Sequence, residues 1–295
     1  MSADQNSAPH RPVCEPARPP SPPKLETPSG ATDCHFHIFG PQDRYPLSPG
    51  RSYDPVEAGT DAYLDMAATL GLDRMVVVQA SIYGTDNSCT LDAVERFGRE
   101  RACAVAVVDE SFDADALSAL HRRGVRGARF NAVSGNGTPL EQLETLAQRI
   151  AKLDWHLQLY AHGAQLPGLA ERLLALPVQV VIDHMGQVPT DAGLESPEFQ
   201  ALLRLLRSGR CWVKLCGYRI SAAGPPYADL LALARALIAA VPERCLWGTD
   251  WPHPHLEGRP MPDDGELLDL LGEWAPDPAE RRRILVENPA ALYGF

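Results

Sequence analysis

From Ala31 onward the chain alternates short β-branched or apolar runs with longer stretches in which apolar residues recur every three or four positions. That pattern predicts repeated strand–helix units and a parallel sheet. Eight strands are expected, at Thr32–Ile38, Arg74–Gln79, Cys103–Val108, Val125–Phe130, His156–Tyr160, Val178–Asp183, Cys211–Leu215 and Cys245–Thr249. Runs such as Met75-Val76-Val77-Val78 are continuous rather than alternating, as strands buried on both faces are. Between the strands, Thr138–Leu153 and Ser196–Ser208 have helical periodicity. Eight such units, with no extra block of sequence, predict an α/β chain forming a single (β/α)8 TIM barrel. The alternative, a doubly wound sheet, lacks the GxGxxG after its first strand that would mark a dinucleotide site.

Residues 1–28 break the pattern. They hold eight prolines and almost no large apolar side chains, too little buriable surface to offset the entropy of ordering. A disordered Pro-rich tail over 1–28 is therefore expected, with the barrel occupying 29–295.

Charge and composition narrow the partners. The net charge is −11, with no cluster of five or more Lys/Arg to reverse it locally, which argues against nucleic acid. Any anionic ligand must then be held by a few specific arginines. No stretch approaches the roughly 18 apolar residues of a membrane span, and Met1 to His10 lacks the basic start and apolar run of a secretory signal. A cytoplasmic protein without a membrane partner is expected; the pattern specifies no oligomeric state. The seven cysteines, at 14, 34, 89, 103, 211, 216 and 245, include no CxxC pair and read as reduced thiols rather than a zinc framework or disulfide scaffold.

In a barrel of this kind the chemistry lies in the loops after the strands, and the polar residues ending each run are informative. Strand one ends Asp33-Cys34-His35-Phe36-His37, strand six Ile182-Asp183-His184 and strand eight Trp247-Gly248-Thr249-Asp250-Trp251-Pro252-His253. His35 and His37 are two apart and project together. With Asp250 and His184 they make a divalent-metal or general-base pocket. Arg219 is a candidate carboxylate clamp, because a planar guanidinium can bind through two parallel bonds. His162 could reach the pocket as a further ligand. Arg126 reads as an ion-pairing residue, His253 as loop-shaping, and Cys34 and Cys216 as packing.

These three segments resemble the amidohydrolase superfamily, and within it the amidohydrolase-related family that includes the 2-pyrone-4,6-dicarboxylate hydrolases. The resemblance runs from Thr32 to Phe295. It implies a hydrolase that opens a carboxylated lactone, a small anionic ring such as a pyrone dicarboxylate, a sugar-acid lactone or a muconolactone. It further implies Asp250 as the general base, with His35, His37 and His184 polarising the reacting carbonyl. Tyr53, Ser81 and Tyr160 match substrate-orienting positions, Arg129 a carboxylate-binding arginine, and His255 a further contact. A second family arginine, six residues after Arg129, is replaced by Gly135, which points to a substrate with one carboxylate rather than two. No lysine stands on strand four, where binuclear relatives carry a modified one; Lys214 is on strand seven. The resemblance implies that no cofactor is required, with a single Zn or Mn on His35, His37 and Asp250 as the alternative. A metal-dependent non-oxidative decarboxylase and a lactone isomerase are the other activities the same barrel supports.

Overall fold

The computed structural model describes residues 11–256 and 258–295. Eight parallel strands lie in the order β1 to β8: β1 Thr32–Phe36, β2 Arg74–Val78, β3 Ala102–Ala106, β4 Val125–Asn131, β5 His156–Tyr160, β6 Val180–Ile182, β7 Cys211–Lys214 and β8 Cys245–Leu246. Each is shorter than or within about two residues of its expected span, because the polar strand ends turn into the loops that carry the site. Eight helices follow the strands in alternation: α1 Thr60–Leu70, α2 Ser88–Phe97, α3 Ala114–Arg122, α4 Leu143–Ile150, α5 Leu166–Ala175, α6 Pro197–Arg207, α7 Leu231–Ala240 and α8 Asp264–Trp274. Two short helices, α9 Pro278–Arg282 and α10 Asn288–Tyr293, end the chain. The result is a (β/α)8 barrel. Its two edges meet where Cys34 N–H donates to the Trp247 carbonyl (2.9 Å) and Asp250 N–H to that of His35 (2.7 Å).

Helix α6 illustrates why these segments form as they do. Ser196 caps it by accepting from Phe199 N–H at 3.3 Å, Pro197 occupies the first turn, and Phe199, Leu202, Leu205 and Leu206 are buried. Each such side chain contributes about 1.5–3 kcal/mol by leaving water.

Inside the barrel the lower layers are apolar: Cys34, Val76, Val78, Cys103, Val105, Val181, Trp212 and Leu246 pack together, and Tyr293 of α10 joins them. Above them the inward positions become polar, with Arg129, Gln158 and Lys214 on β4, β5 and β7 and Asp183 just after β6. That change of layer sets the site's floor.

Residues 11–28 differ from the expected free tail. Cys14 N–H donates to the Asp54 carbonyl (2.8 Å), Ser21 N–H to Asp263 (3.0 Å), Lys24 and Leu25 N–H to Asp269 (2.7 and 2.9 Å), and Thr27 to the Leu70 carbonyl (2.7 Å). The segment buries little apolar surface, but its backbone donors meet carboxylates on and before α8, which holds it as a strap along the barrel. Residues 1–10 of the expected tail lie outside the described residues. Among the described residues all seven cysteines are free, and no helix is long and apolar enough to cross a membrane.

Candidate active site

The site begins at an irregularity in β1. Its register against β2 shifts between Asp33 and Phe36, a bulge that lets Cys34 face the apolar interior while His35 still reaches the polar layer. Asp33 holds this turn. Its carboxylate accepts from the N–H groups of His35 (3.0 Å) and Thr249 (3.1 Å) and from the hydroxyls of Thr249 (2.7 Å) and Tyr63 (3.2 Å). Burial pushes Asp33 up to about 7, against the pull of these donors. One carboxylate thus fastens the first strand to the chain leaving the last.

That chain then turns through Asp250, whose φ of 66° is left-handed, a conformation aspartate tolerates better than most residues. Its carboxylate is asymmetric in surroundings. Oδ2 accepts from the Tyr218 hydroxyl (2.6 Å) and from Arg219 Nε. Oδ1 is buried without a hydrogen-bond partner and faces His37 Nε2 (3.5 Å) and His35 Nε2 (3.7 Å). Burial alone would raise its pKa, but Arg219, His184 and His37 outweigh that and hold it well below the usual carboxylate range.

The three histidines are distinguished by what lies behind each ring. His37 Nδ1 is 2.8 Å from the Val78 carbonyl. A carbonyl only accepts, so Nδ1 carries the proton and a neutral ring turns its Nε2 lone pair toward Asp250. His35 is fully buried beneath Asp250, with Nδ1 3.3 Å from both Lys214 Nζ and Asp183 Oδ1. His184, at φ 50°, lies 4.7 Å from the His35 ring and edge-on to Tyr160 at 4.9 Å. Burial lowers all three, His184 to about 4 and His35 well below the ordinary imidazole range.

Under them the polar layer pairs its own charges. Asp183 meets Arg129 (3.4 Å), Gln158 Nε2 (3.0 Å) and Lys214 (3.5 Å). Burial would raise Asp183, but His35, Lys214 and Arg129 hold it well below the carboxylate range. Charges this deep persist only when paired and hydrogen-bonded.

Above lies a cavity of about 420 Å³. Asp250, His37 and His184 line it, as do Tyr53, Ser81, Arg129, Tyr160, Arg219 and His255. Every substrate-contact position expected from the sequence is therefore brought to one pocket, with His35 just behind its wall. Tyr53 and His255 stack at 5.6 Å, and the Arg129 guanidinium lies 5.7 Å from the Tyr160 ring centre. Arg129 Nε is buried and has no partner.

Other expectations are corrected or refined. Arg126 makes no ion pair among the described residues; its guanidinium donates to the carbonyls of His121 (3.2 Å) and Val125 (2.8 Å). His162 is exposed at the pocket rim and belongs to no metal-competent cluster among the described residues. His253 is buried 3.0 Å from Asp264, away from the pocket. Gly135 has φ 69° and open space where a side chain would begin. Arg259, unnoticed in the sequence, lines the rim. Tyr218, Gln158 and Lys214 were also missed as site residues, although a glutamine and a lysine inside apolar runs are a signal that could have found them.

A divalent metal can be tested against these groups. His35 Nε2 and Asp250 Oδ1 are buried and unpartnered, and with His37 they offer ligand atoms all within 4.8 Å of one another. Two imidazoles and a carboxylate fit Zn or Mn chemically.

A family model described as amidohydrolase matches residues 32–295. The chain is 41% identical to a 2-pyrone-4,6-dicarboxylate hydrolase of Comamonas testosteroni, over 93% of each chain. It is 39% identical to a 4-sulfomuconolactone hydrolase of Hydrogenophaga intermedia, over 93% of this chain and 92% of the relative. The crystal structure of a probable 2-pyrone-4,6-dicarboxylic acid hydrolase from Acinetobacter baumannii with citric acid bound superposes with a TM-score of 0.79 at 27% identity, covering 90% of this chain and 100% of that one. The family model spans the barrel and the site described above, and the chain belongs to the amidohydrolase family.

Proposed function

We propose that the protein hydrolyses a lactone bearing a carboxylate, with Asp250 as the general base. The observation that carries this reading is the divided environment of Asp250. Two strong donors anchor Oδ2, while Oδ1 is ionised, has no hydrogen-bond partner and faces His37, on a residue that lines the same pocket as Arg129, Arg219 and Arg259. Relatives named as hydrolases of 2-pyrone-4,6-dicarboxylate and 4-sulfomuconolactone support the substrate class.

The chemistry follows from the side chains. A water beside Oδ1 gives a proton to Asp250 as its oxygen bonds to the lactone carbonyl carbon. His37 orients that water by accepting at Nε2, the nitrogen its Val78 contact leaves unprotonated. This refines the expected polarising role: the oxyanion falls instead to His184, with Arg219 nearby. When the ring C–O bond breaks, the leaving oxygen takes the proton from Asp250, and the product is an open hydroxy acid or its keto tautomer. Arg129, whose Nε lacks a partner, holds the substrate carboxylate. Gly135 supplies no second clamp, so a ring with one carboxylate is preferred over a dicarboxylate. If Zn or Mn is held by His35, His37 and Asp250, it supplies Lewis-acid polarisation and a more acidic water; the reading proposed is hydrolysis without it.

The test is a panel of carboxylated lactones assayed with and without exhaustive chelation, accompanied by metal analysis. Ring opening of a monocarboxylated lactone that survives chelation is expected. No turnover of any carboxylated lactone refutes the reading, and activity lost on chelation but restored by zinc or manganese refutes its metal-free form.

A further inference from the structure

Lys214 is fully buried in the barrel interior, where an ammonium is costly unless every N–H is used. Its Nζ has three neighbours: Gln158 Oε1 at 2.7 Å, His35 Nδ1 at 3.3 Å and Asp183 Oδ1 at 3.5 Å. Gln158 Nε2 is already given to Asp183 Oδ2 at 3.0 Å, which fixes its oxygen toward the lysine. The ammonium, which has three donors and no acceptor, thus has hydrogen-bond contacts with Gln158 Oε1 and His35 Nδ1 and an ion-pair contact with Asp183.

His35 Nδ1 has a second suitor. Asp183 Oδ1 lies 3.3 Å away, yet that oxygen has no hydrogen-bond partner, whereas the lysine contact has hydrogen-bond geometry. The difference matters at the far side of the ring. An imidazole that accepts at Nδ1 carries its proton on Nε2, and His35 Nε2 is the atom aimed at Asp250 Oδ1. A metal ligand needs the reverse, a bare Nε2 and an Nδ1–H given to a carboxylate behind it. Asp183 stands where that carboxylate would be.

We propose that Lys214 is a positioning residue that fixes His35 as the Nε2–H tautomer, turning an N–H rather than a lone pair toward Asp250 Oδ1 and weakening divalent-metal binding at this pole. The pair His35 and His37 is thereby split. His37, fixed by Val78, presents a lone pair, and His35 presents a proton. The buried charge of Lys214 adds direct repulsion to any dication bound on the other side of the ring. The inference depends on the placement of His35, not on the identity of the lactone, and its readouts do not use turnover.

The primary measurement is the histidine ring 15N spectrum of the metal-free wild-type protein, with His35 assigned by difference from a His35→Gln variant. An Nε2–H tautomer is expected; a proton on His35 Nδ1, in a neutral or a cationic ring, overturns the proposal. The second measurement is zinc affinity of Lys214→Met by calorimetry. Without the lysine, Nδ1–H can turn to Asp183, and zinc should bind at least about tenfold more tightly, the scale on which partners behind a ligating histidine act. A folded variant with wild-type zinc affinity overturns the proposal. Should the variant fail to fold, the wild-type spectrum alone decides.

Discussion

Asp250→Asn isolates the proposed base with little disturbance to its surroundings. Tyr218 and Arg219 both donate to Oδ2, so the asparagine oxygen must take that place and the amide nitrogen must replace Oδ1. There it meets His37 Nε2, 3.5 Å away in the native protein and an acceptor in the neutral ring. The variant therefore keeps an acceptor for Tyr218 and Arg219 and a donor toward His37, with the proposed His35 Nε2–H as its one unmatched neighbour. Its cost to stability is the change from a charged to a neutral acceptor for Arg219, about 1–2 kcal/mol. Its cost to chemistry is the whole base, about 10²–10⁴ in kcat, or roughly 3–5 kcal/mol. KM should change little, because Arg129, the proposed carboxylate-binding residue, lies on β4, separate from this contact. The assay is steady-state ring opening of the best lactone from the panel, with thermal unfolding to confirm the fold. A kcat within about threefold of wild type would remove Asp250 from the role of base.

Arg129→Met should raise KM about ten- to a hundredfold while sparing kcat, since one charge-assisted hydrogen bond is worth about 1.5–3 kcal/mol; the same kcat loss as Asp250→Asn would overturn the division of roles. In the pH profile, Asp250 is held well below the carboxylate range and His184 is neutral above about 4, so kcat/KM should be flat down to about pH 5 and fall as the pH nears 4. An acid limb with its midpoint near 6.5 would contradict this. His156 on β5 is fully buried with both ring nitrogens unpartnered, and burial lowers it from 6.5 to about 3. The unfolded chain binds its proton first, so acidification from about pH 7 to 5 should cost about 2 kcal/mol through this residue. His156→Leu should show a correspondingly smaller loss of stability in denaturant titrations at the two pH values. Asp263 accepts from Gly265 N–H of α8 (2.9 Å) and Ser21 N–H and pairs with Arg18 (2.9 Å). Asp263→Ala should cost about 1–2 kcal/mol as a lost cap and expose residues 11–28 to limited proteolysis.

The sequence by itself determined the barrel and named part of the pocket's lining. Continuous apolar runs separated by helical periodicity admit few packings other than a doubly covered parallel sheet, and the polar residue at the end of each run must face the mouth. Hence Asp250, His37, His184, Arg129 and Arg219 could be named from local pattern and resemblance, and the structure brings them to one cavity. The tertiary structure decided what local pattern cannot carry, namely which partner stands behind each group. The protons of His35 and His37 depend on Lys214 and on the Val78 carbonyl, residues of other strands. The availability of one oxygen of Asp250 depends on Tyr218 and Arg219 occupying the other. The strap over residues 11–28 depends on carboxylates more than two hundred positions away. Composition reports how much surface a segment can bury, but hydrogen bonds between distant residues are set only when the barrel closes, and it is these that fix the orientation and charge of the groups at the site.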